Sequence, residues 1–132
     1  MDKIFEHKIT ILETHLDTFG HVNNATYLTL CEQARWEVLN EYGLGIAYIK
    51  KTKTGPVILS AQINYKKELH AREKIKIITT FQLENEKLFN IFHKIEKPDG
   101  SLSAKATLLA AFWDTEKRKI IRLDAEWKKM LF

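Results

Sequence analysis

Cysteine is nearly absent from this chain. Cys31 is the only one among 132 residues, which excludes an intramolecular disulfide and a cysteine-built zinc site. Prolines number two and glycines five, and no internal repeat or low-complexity tract breaks the pattern. The length fits one domain spanning residues 1–132. No apolar run approaches the roughly 20 residues of a membrane span. Met1 to Ile9 is charged and alternating, without the apolar core of a signal peptide. The expected compartment is therefore the cytoplasm, with no stable membrane insertion. Like charges form no block either. The net charge of +4 comes from dispersed lysines that read as solvated strand ends, with no basic stripe interleaved with aromatics, so nucleic acid is not an expected partner. Ser60, Ser101 and Ser103 lack the Gly-x-Ser-x-Gly context of a nucleophile elbow.

What remains is a strongly periodic pattern. Phe5, His7, Ile9 and Ile11 alternate with polar residues, which predicts a half-buried strand from Phe5 to Glu13. Tyr27, Cys31, Ala34 and Val38 recur at helical spacing, predicting a long helix from about Asn24 to Tyr42, capped by Asn23 or Asn24 and stopped at Gly43. Leu44 to Gly55 reads as a loop with room for a helical turn. After Pro56, four alternating sets follow, beginning at Val57, Ile75, Phe89 and Leu102. Glu84-Asn85-Glu86 and Pro98-Asp99-Gly100 are the turns between the later ones. Leu123 to Leu131 predicts a short terminal helix. The fold class is α+β: a five-stranded antiparallel sheet wrapped around one long central helix. One helix cannot cover both faces and edges of such a sheet, so self-association is expected.

The chemistry concentrates in Asp17-Thr18-Phe19-Gly20-His21-Val22-Asn23-Asn24-Ala25-Thr26-Tyr27, which runs into the long helix. A helix start presents unpaired N–H groups and the positive end of its dipole, suited to a carbonyl oxygen that becomes an anion during reaction. A nearby carboxylate such as Asp17 can act as nucleophile or base, although Asp is also a common turn residue. His21 is a solvated loop histidine or a group that positions water, substrate or Asp17. His15, Asp17 and His21 are ligand types, but their spacing matches no common metal pair, and no metal or cofactor is expected.

The motif Asp-x-x-Gly-His-Val-Asn-Asn-x-x-Tyr opening the helix, with Glu32-Gln33-Ala34-Arg35 inside it, resembles the hot-dog fold thioesterases. The nearest groups are the 4-hydroxybenzoyl-CoA thioesterase-like enzymes and the acyl-carrier-protein thioesterases with a His-Val-Asn-Asn loop. The resemblance covers Phe5 to about Trp113. It implies hydrolysis of an acyl thioester, an acyl-CoA or an acyl carrier protein, by a homodimer or dimer of dimers with sites at the protomer interface and no metal. It also implies Asp17 as the catalytic carboxylate and the Asn24 N–H as the group that polarises the carbonyl. His21 joins them as the third candidate catalytic residue.

Candidate substrate-binding residues are Asn23, Tyr27, Glu32, Lys66 and Arg72. Tyr27 is close enough to the loop to line an acyl pocket. Lys66, Lys67 and Arg72 could meet the phosphates of CoA or simply be solvated. Glu32, about 12 Å along the helix from Asn24, is a second candidate acid or else the local partner of Arg35. Cys31 reads as a small core residue. Two other functions compete with hydrolysis: a non-catalytic acyl- or CoA-binding module, and dehydration of a hydroxyacyl thioester.

Overall fold

The computed structural model describes residues 3–132. Strand β1 spans Ile4–Thr10, and the long helix α1 spans Asn24–Glu41. Helix α2 (Ile46–Thr52) leads into β2 (Thr54–Tyr65), β3 (Lys74–Leu83), β4 (Leu88–Glu96) and β5 (Leu102–Asp114). A short β6 (Lys119–Ile121) and helix α3 (Ala125–Leu131) complete the chain. All pairings are antiparallel, in the order β1-β3-β4-β5-β2, with β6 added to β5. The sheet thus has six strands rather than five, the extra one being a three-residue return after β5. Five long strands around one long helix give the hot-dog arrangement that the loop motif implies.

The two-residue period works as expected in the middle of the sheet. Ile75, Ile77, Thr79 and Phe81 are buried, and so are Phe89, Ile91, His93 and Ile95 on the neighbouring strand. Their register places Thr79, His93 and Ala106 in one cross-strand row beneath the helix. Burying such side chains contributes roughly 1.5–3 kcal/mol each for the larger apolar ones. Helix α1 bridges two packed groups. Tyr27, Leu30, Cys31 and Ala34 meet Ile75, Ile77 and Ile95, while Val38 and Leu39 meet Phe5, Phe81, Phe89 and Trp127.

Helix α1 begins as predicted: Asn23 Oδ1 accepts the Ala25 N–H at 2.9 Å. It ends where Gly43 takes a φ of 72° and Leu44 N–H donates to Leu39 O at 2.7 Å, satisfying a terminal carbonyl.

Three expectations need correction. The first strand stops at Thr10, because His15 Nδ1 accepts the Leu12 N–H at 2.9 Å and closes a 3-10 turn over Glu13–His15. The predicted loop after Leu44 contains helix α2, held by a tertiary bond: Tyr48 Oη donates to Asp124 Oδ2 at 2.6 Å. The same carboxylate caps α3, accepting the Glu126 N–H at 2.8 Å, and it pushes the Tyr48 phenol up to about 12. Finally, the alternating apolar residues of β2 are unevenly covered: Val57 and Ile63 are half-buried, but Leu59, Ala61 and Tyr65 are exposed. β2 is an edge strand with a bulge between Ile58 and Ser60, leaving Leu59 46% and Tyr65 47% exposed. Among the described residues no helix is long and apolar enough to cross a membrane.

Candidate active site

The segment between Leu16 and Asn23 folds back on itself. Leu16 and Val22 form an isolated antiparallel bridge, Asp17 N–H donates to His21 O at 3.0 Å, and Gly20 N–H donates to Asp17 O at 3.2 Å. The turn requires a left-handed residue, and Gly20 supplies it at φ 85°. Asp17 Oδ1 accepts the Phe19 N–H at 2.8 Å, a side-chain turn of the kind Asp favours. The other oxygen, Oδ2, lies 3.9 Å from His21 Nδ1. The turn is pinned to the body of the protein by buried Val22, whose N–H donates to Leu69 O at 2.9 Å.

The loop then delivers the helix start. The Ala25 N–H is taken by the Asn23 cap, and the Thr26 N–H donates to Asn23 O at 2.9 Å. Neither bond uses the N–H of Asn24, and among the described residues no acceptor takes it, which leaves it available at the positive end of the dipole. From the far end of β2, Tyr65 Oη donates to Asn24 O at 2.9 Å. Tyr65 also meets Tyr27 edge to face, with ring centroids 5.1 Å apart.

These residues enclose a cleft of about 220 Å³, walled by His21, Val22, Asn24, Tyr27, Tyr65 and Lys66, with Lys67 and Glu68 beside them. Burial pushes the Tyr27 phenol up, so it stays a neutral wall and hydrogen-bonding group. Asp17 is not itself a wall residue. It stands behind His21, with a side chain 20% exposed. On the opposite side of His21, Nε2 lies 4.0 Å from Glu68 Oε1, and Glu68 Oε2 lies 3.3 Å from His70 Nε2. The imidazole therefore sits between two carboxylates. Sequence spacing gave no sign of Glu68, which is 47 residues away from His21.

The structure thus gathers Asp17, His21, Asn23, Asn24, Tyr27 and Lys66 at one place. It does not bring Arg72 or Glu32 there. The guanidinium of Arg72 grips Glu13 with two bonds, at 2.9 and 2.6 Å, each partner favouring the charge of the other. Glu32 is exposed farther along α1, on the wall of a separate cavity. Nor does Glu32 pair with Arg35 as its spacing suggested. Arg35 turns inward, and its Nη1 lies 3.1 Å from His93 Nε2.

A guanidinium can only donate, so Nε2 accepts, and Nδ1 carries the proton shared with Thr79 Oγ1 at 2.9 Å. Burial, helped by Arg35, drives His93 down to about 3, and burial also lowers Arg35. Cys31 is buried in the core, its thiol pushed up to about 12 by desolvation, which leaves no thiolate for attack.

One long helix laid against a sheet of this order defines a class. The chain belongs to the thioesterase-like superfamily, whose family model matches residues 12–131, and it is an enzyme of the thioester-hydrolase class. It is similar to the long-chain acyl-CoA thioesterase FadM of Escherichia coli strain K12, with 28% identity over 125 residues and 94% of each chain covered. Among solved structures it resembles a 1,4-dihydroxy-2-naphthoyl-CoA thioesterase from Synechocystis. There the TM-score is 0.90 at 18% identity, over 98% of this chain and 96% of that one. A Staphylococcus aureus protein solved in complex with CoA gives a TM-score of 0.90 at 15% identity, over 98% and 82% of the two chains.

Proposed function

We propose that this protein hydrolyses an acyl-CoA to the free acid and CoA, with the thioester carbonyl against the Asn24 N–H and Asp17 as the catalytic carboxylate. The observation that carries the reading is the juxtaposition at the helix start: an amide unclaimed by the cap opens on the same cleft as His21, and His21 touches Asp17. Donors aimed at a developing oxyanion are worth about 2.7–4 kcal/mol each in such sites. Asp17 stands behind the cleft wall, which favours activation of a water over direct attack on the carbonyl. His21, held between Asp17 and Glu68, orients that water. Tyr27 flanks the first atoms of the acyl group. Lys66 and Lys67 at the rim meet CoA phosphates. FadM, an acyl-CoA thioesterase of nearly the same length, supports CoA as the donor.

The working unit in this reading is a homodimer built through the free edge of β2, alone or as a dimer of dimers. An isologous antiparallel pairing of β2 with its copy covers Leu59 and sets the Tyr65 end of one protomer beside the Pro56 end of the other. Thiol release from aromatic, short-chain and long-chain acyl thioesters, carried on CoA and on acyl carrier protein, tests the reaction. Asp17→Asn is expected to lower kcat by a factor of at least about 10² while KM changes little. Equal rates for wild type and Asp17→Asn would remove Asp17 from the mechanism. Saturable binding without turnover of any thioester would leave a binding module instead.

A further inference from the structure

Lysines that lie dispersed along the sequence share one face of the fold. All three helices pack their apolar residues on the inner face of the sheet, so none covers the outer one. Strand alternation aims Lys8 of β1, Lys74 and Lys76 of β3, Lys94 of β4 and Lys105 of β5 outward, all exposed. Against these five lysines the strands of this face set only Glu6 and Glu96. That leaves three net positive charges on it, against a net of four for the whole chain. Two pairs of like charge lie directly opposite one another on neighbouring strands, Lys8 with Lys76 and Lys94 with Lys105. Among the described residues only Lys76 of the five has a carboxylate within 4.0 Å, that of Glu6 at 3.9 Å. Beside Lys8, Lys74 and Lys76 the surface is hollowed into a groove of about 410 Å³. Apolar side chains lie among the charges: Ile78 and Phe92 are half-buried, and Ile4 at the sheet edge is 70% exposed.

Like charges directly opposed across strands destabilise a sheet, a cost that an anionic partner offsets. A second copy stacked on the same face would set lysine against lysine, which argues against self-pairing there. The lysines are spread over four strands rather than gathered at one pocket, with apolar side chains between them. That combination complements a layer of phosphates lying over hydrocarbon.

We propose that the outer face of the sheet docks on an anionic phospholipid membrane, its lysines on the phosphates and Ile4 at the headgroup boundary. The contact is peripheral and needs no turnover, so it stands or falls apart from the proposed hydrolysis.

The full-length protein is sedimented with vesicles of phosphatidylcholine, alone or with about one-third phosphatidylglycerol. At about 0.1 M salt the anionic vesicles are expected to bind at least about tenfold more tightly. That preference should vanish near 1 M, where the Debye length falls to about 3 Å. The combined variant Lys8→Gln, Lys76→Gln, Lys94→Gln, Lys105→Gln should bind the anionic vesicles at least about tenfold more weakly. A control variant, Lys50→Gln, Lys51→Gln, Lys128→Gln, Lys129→Gln, removes the same charge from exposed positions of α2 and α3, on the other side of the sheet. It should lose less than about threefold. Both variants are checked for native melting. The proposal is overturned by equal binding to the two kinds of vesicle, or by equal losses in the two variants. Capture on immobilised polyglutamate without any vesicle binding would overturn it in favour of an acidic protein. A fall in assembly mass of the sheet variant, measured by light scattering, would overturn it in favour of a second copy. The vesicle comparison on the wild-type protein decides the matter even if a variant does not fold.

Discussion

The hydroxyl of Tyr65 donates to the backbone carbonyl of Asn24 at 2.9 Å, joining the last residue of β2 to the first residue of α1 across 41 positions of sequence. The residue that carries the available N–H at the helix start is thereby held, through its own carbonyl, by a group from an edge strand. In the proposed reaction, that bond keeps the amide aimed at the cleft.

Tyr65→Phe removes the bond and little else. Because Tyr65 is half-exposed, the loss of stability should sit near the low end of about 0.5–1.5 kcal/mol. The effect on kcat should be larger, about tenfold, since a misplaced donor costs more in the transition state than in the folded ground state. Denaturant melts and steady-state kinetics on the same preparations check this. A kcat loss no larger than the stability loss would reduce Tyr65 to a structural role.

The turn at Gly20 can be tested in the same way. A Cβ there meets no atom within 4 Å, so its cost lies in the backbone alone, at φ 85°. Gly20→Ala should destabilise by about 1–2 kcal/mol and lower activity further by loosening the contact between Asp17 and His21. Gly20→Asn should be milder on both counts, because Asn tolerates the left-handed region better. Thermal melts and thiol-release assays on both variants provide the comparison.

His93 predicts an acid-sensitive fold. Its folded value of about 3 lies below the ordinary 6.5. Between these two values the unfolded chain binds a proton that the folded chain refuses. Stability therefore falls as pH drops from about 6.5 toward about 3, by up to about 1.4 kcal/mol per pH unit from this group, and is independent of it above 6.5. Denaturant melts at a series of pH values should show this slope. His93→Gln, which can still accept from Arg35, should flatten it.

The edge of β2 makes a prediction about assembly. Leu59→Lys places a charge on the exposed bulge, a device by which natural edge strands avoid pairing. Light scattering should show the assembly falling to the 15.5 kDa protomer, with activity lost in parallel. A wild-type protein of protomer mass that is fully active would exclude the dimer reading.

Phosphate recognition by Lys66 and Lys67 separates the two halves of the substrate. Replacing both with Ala should raise KM for an acyl-CoA several-fold and flatten its dependence on salt. The KM for the same acyl group on pantetheine, which lacks the nucleotide phosphates, should barely move. Parallel KM measurements on the two thioesters decide it.

Much of this architecture was legible from local pattern. The alternation of Ile75, Ile77 and Phe81, the Pro98-Asp99-Gly100 turn and the Asn23 cap each rest on interactions within a few residues, so order along the chain determines them. The same holds for the loop that puts Asp17 and His21 side by side, since four residues and a left-handed glycine close it. What the chain order could not decide is what each apolar face meets. Leu59 and Tyr65 alternate like core residues, yet they lie on an uncovered edge, because period-two patterning reports a face and not its neighbour.

Arg35 had Glu32 available at helical spacing and instead reached His93, 58 residues away, since its position on α1 turns the guanidinium toward the sheet. Helix α2 likewise depends on Tyr48 finding Asp124, 76 residues on. Sequence thus determined the long strands, helix α1 and the turn that sets Asp17 beside His21, all products of short-range backbone preference. Tertiary structure alone decided the partners of Arg35, Tyr65 and Glu68, because those contacts exist only after distant segments are packed together and shielded from water.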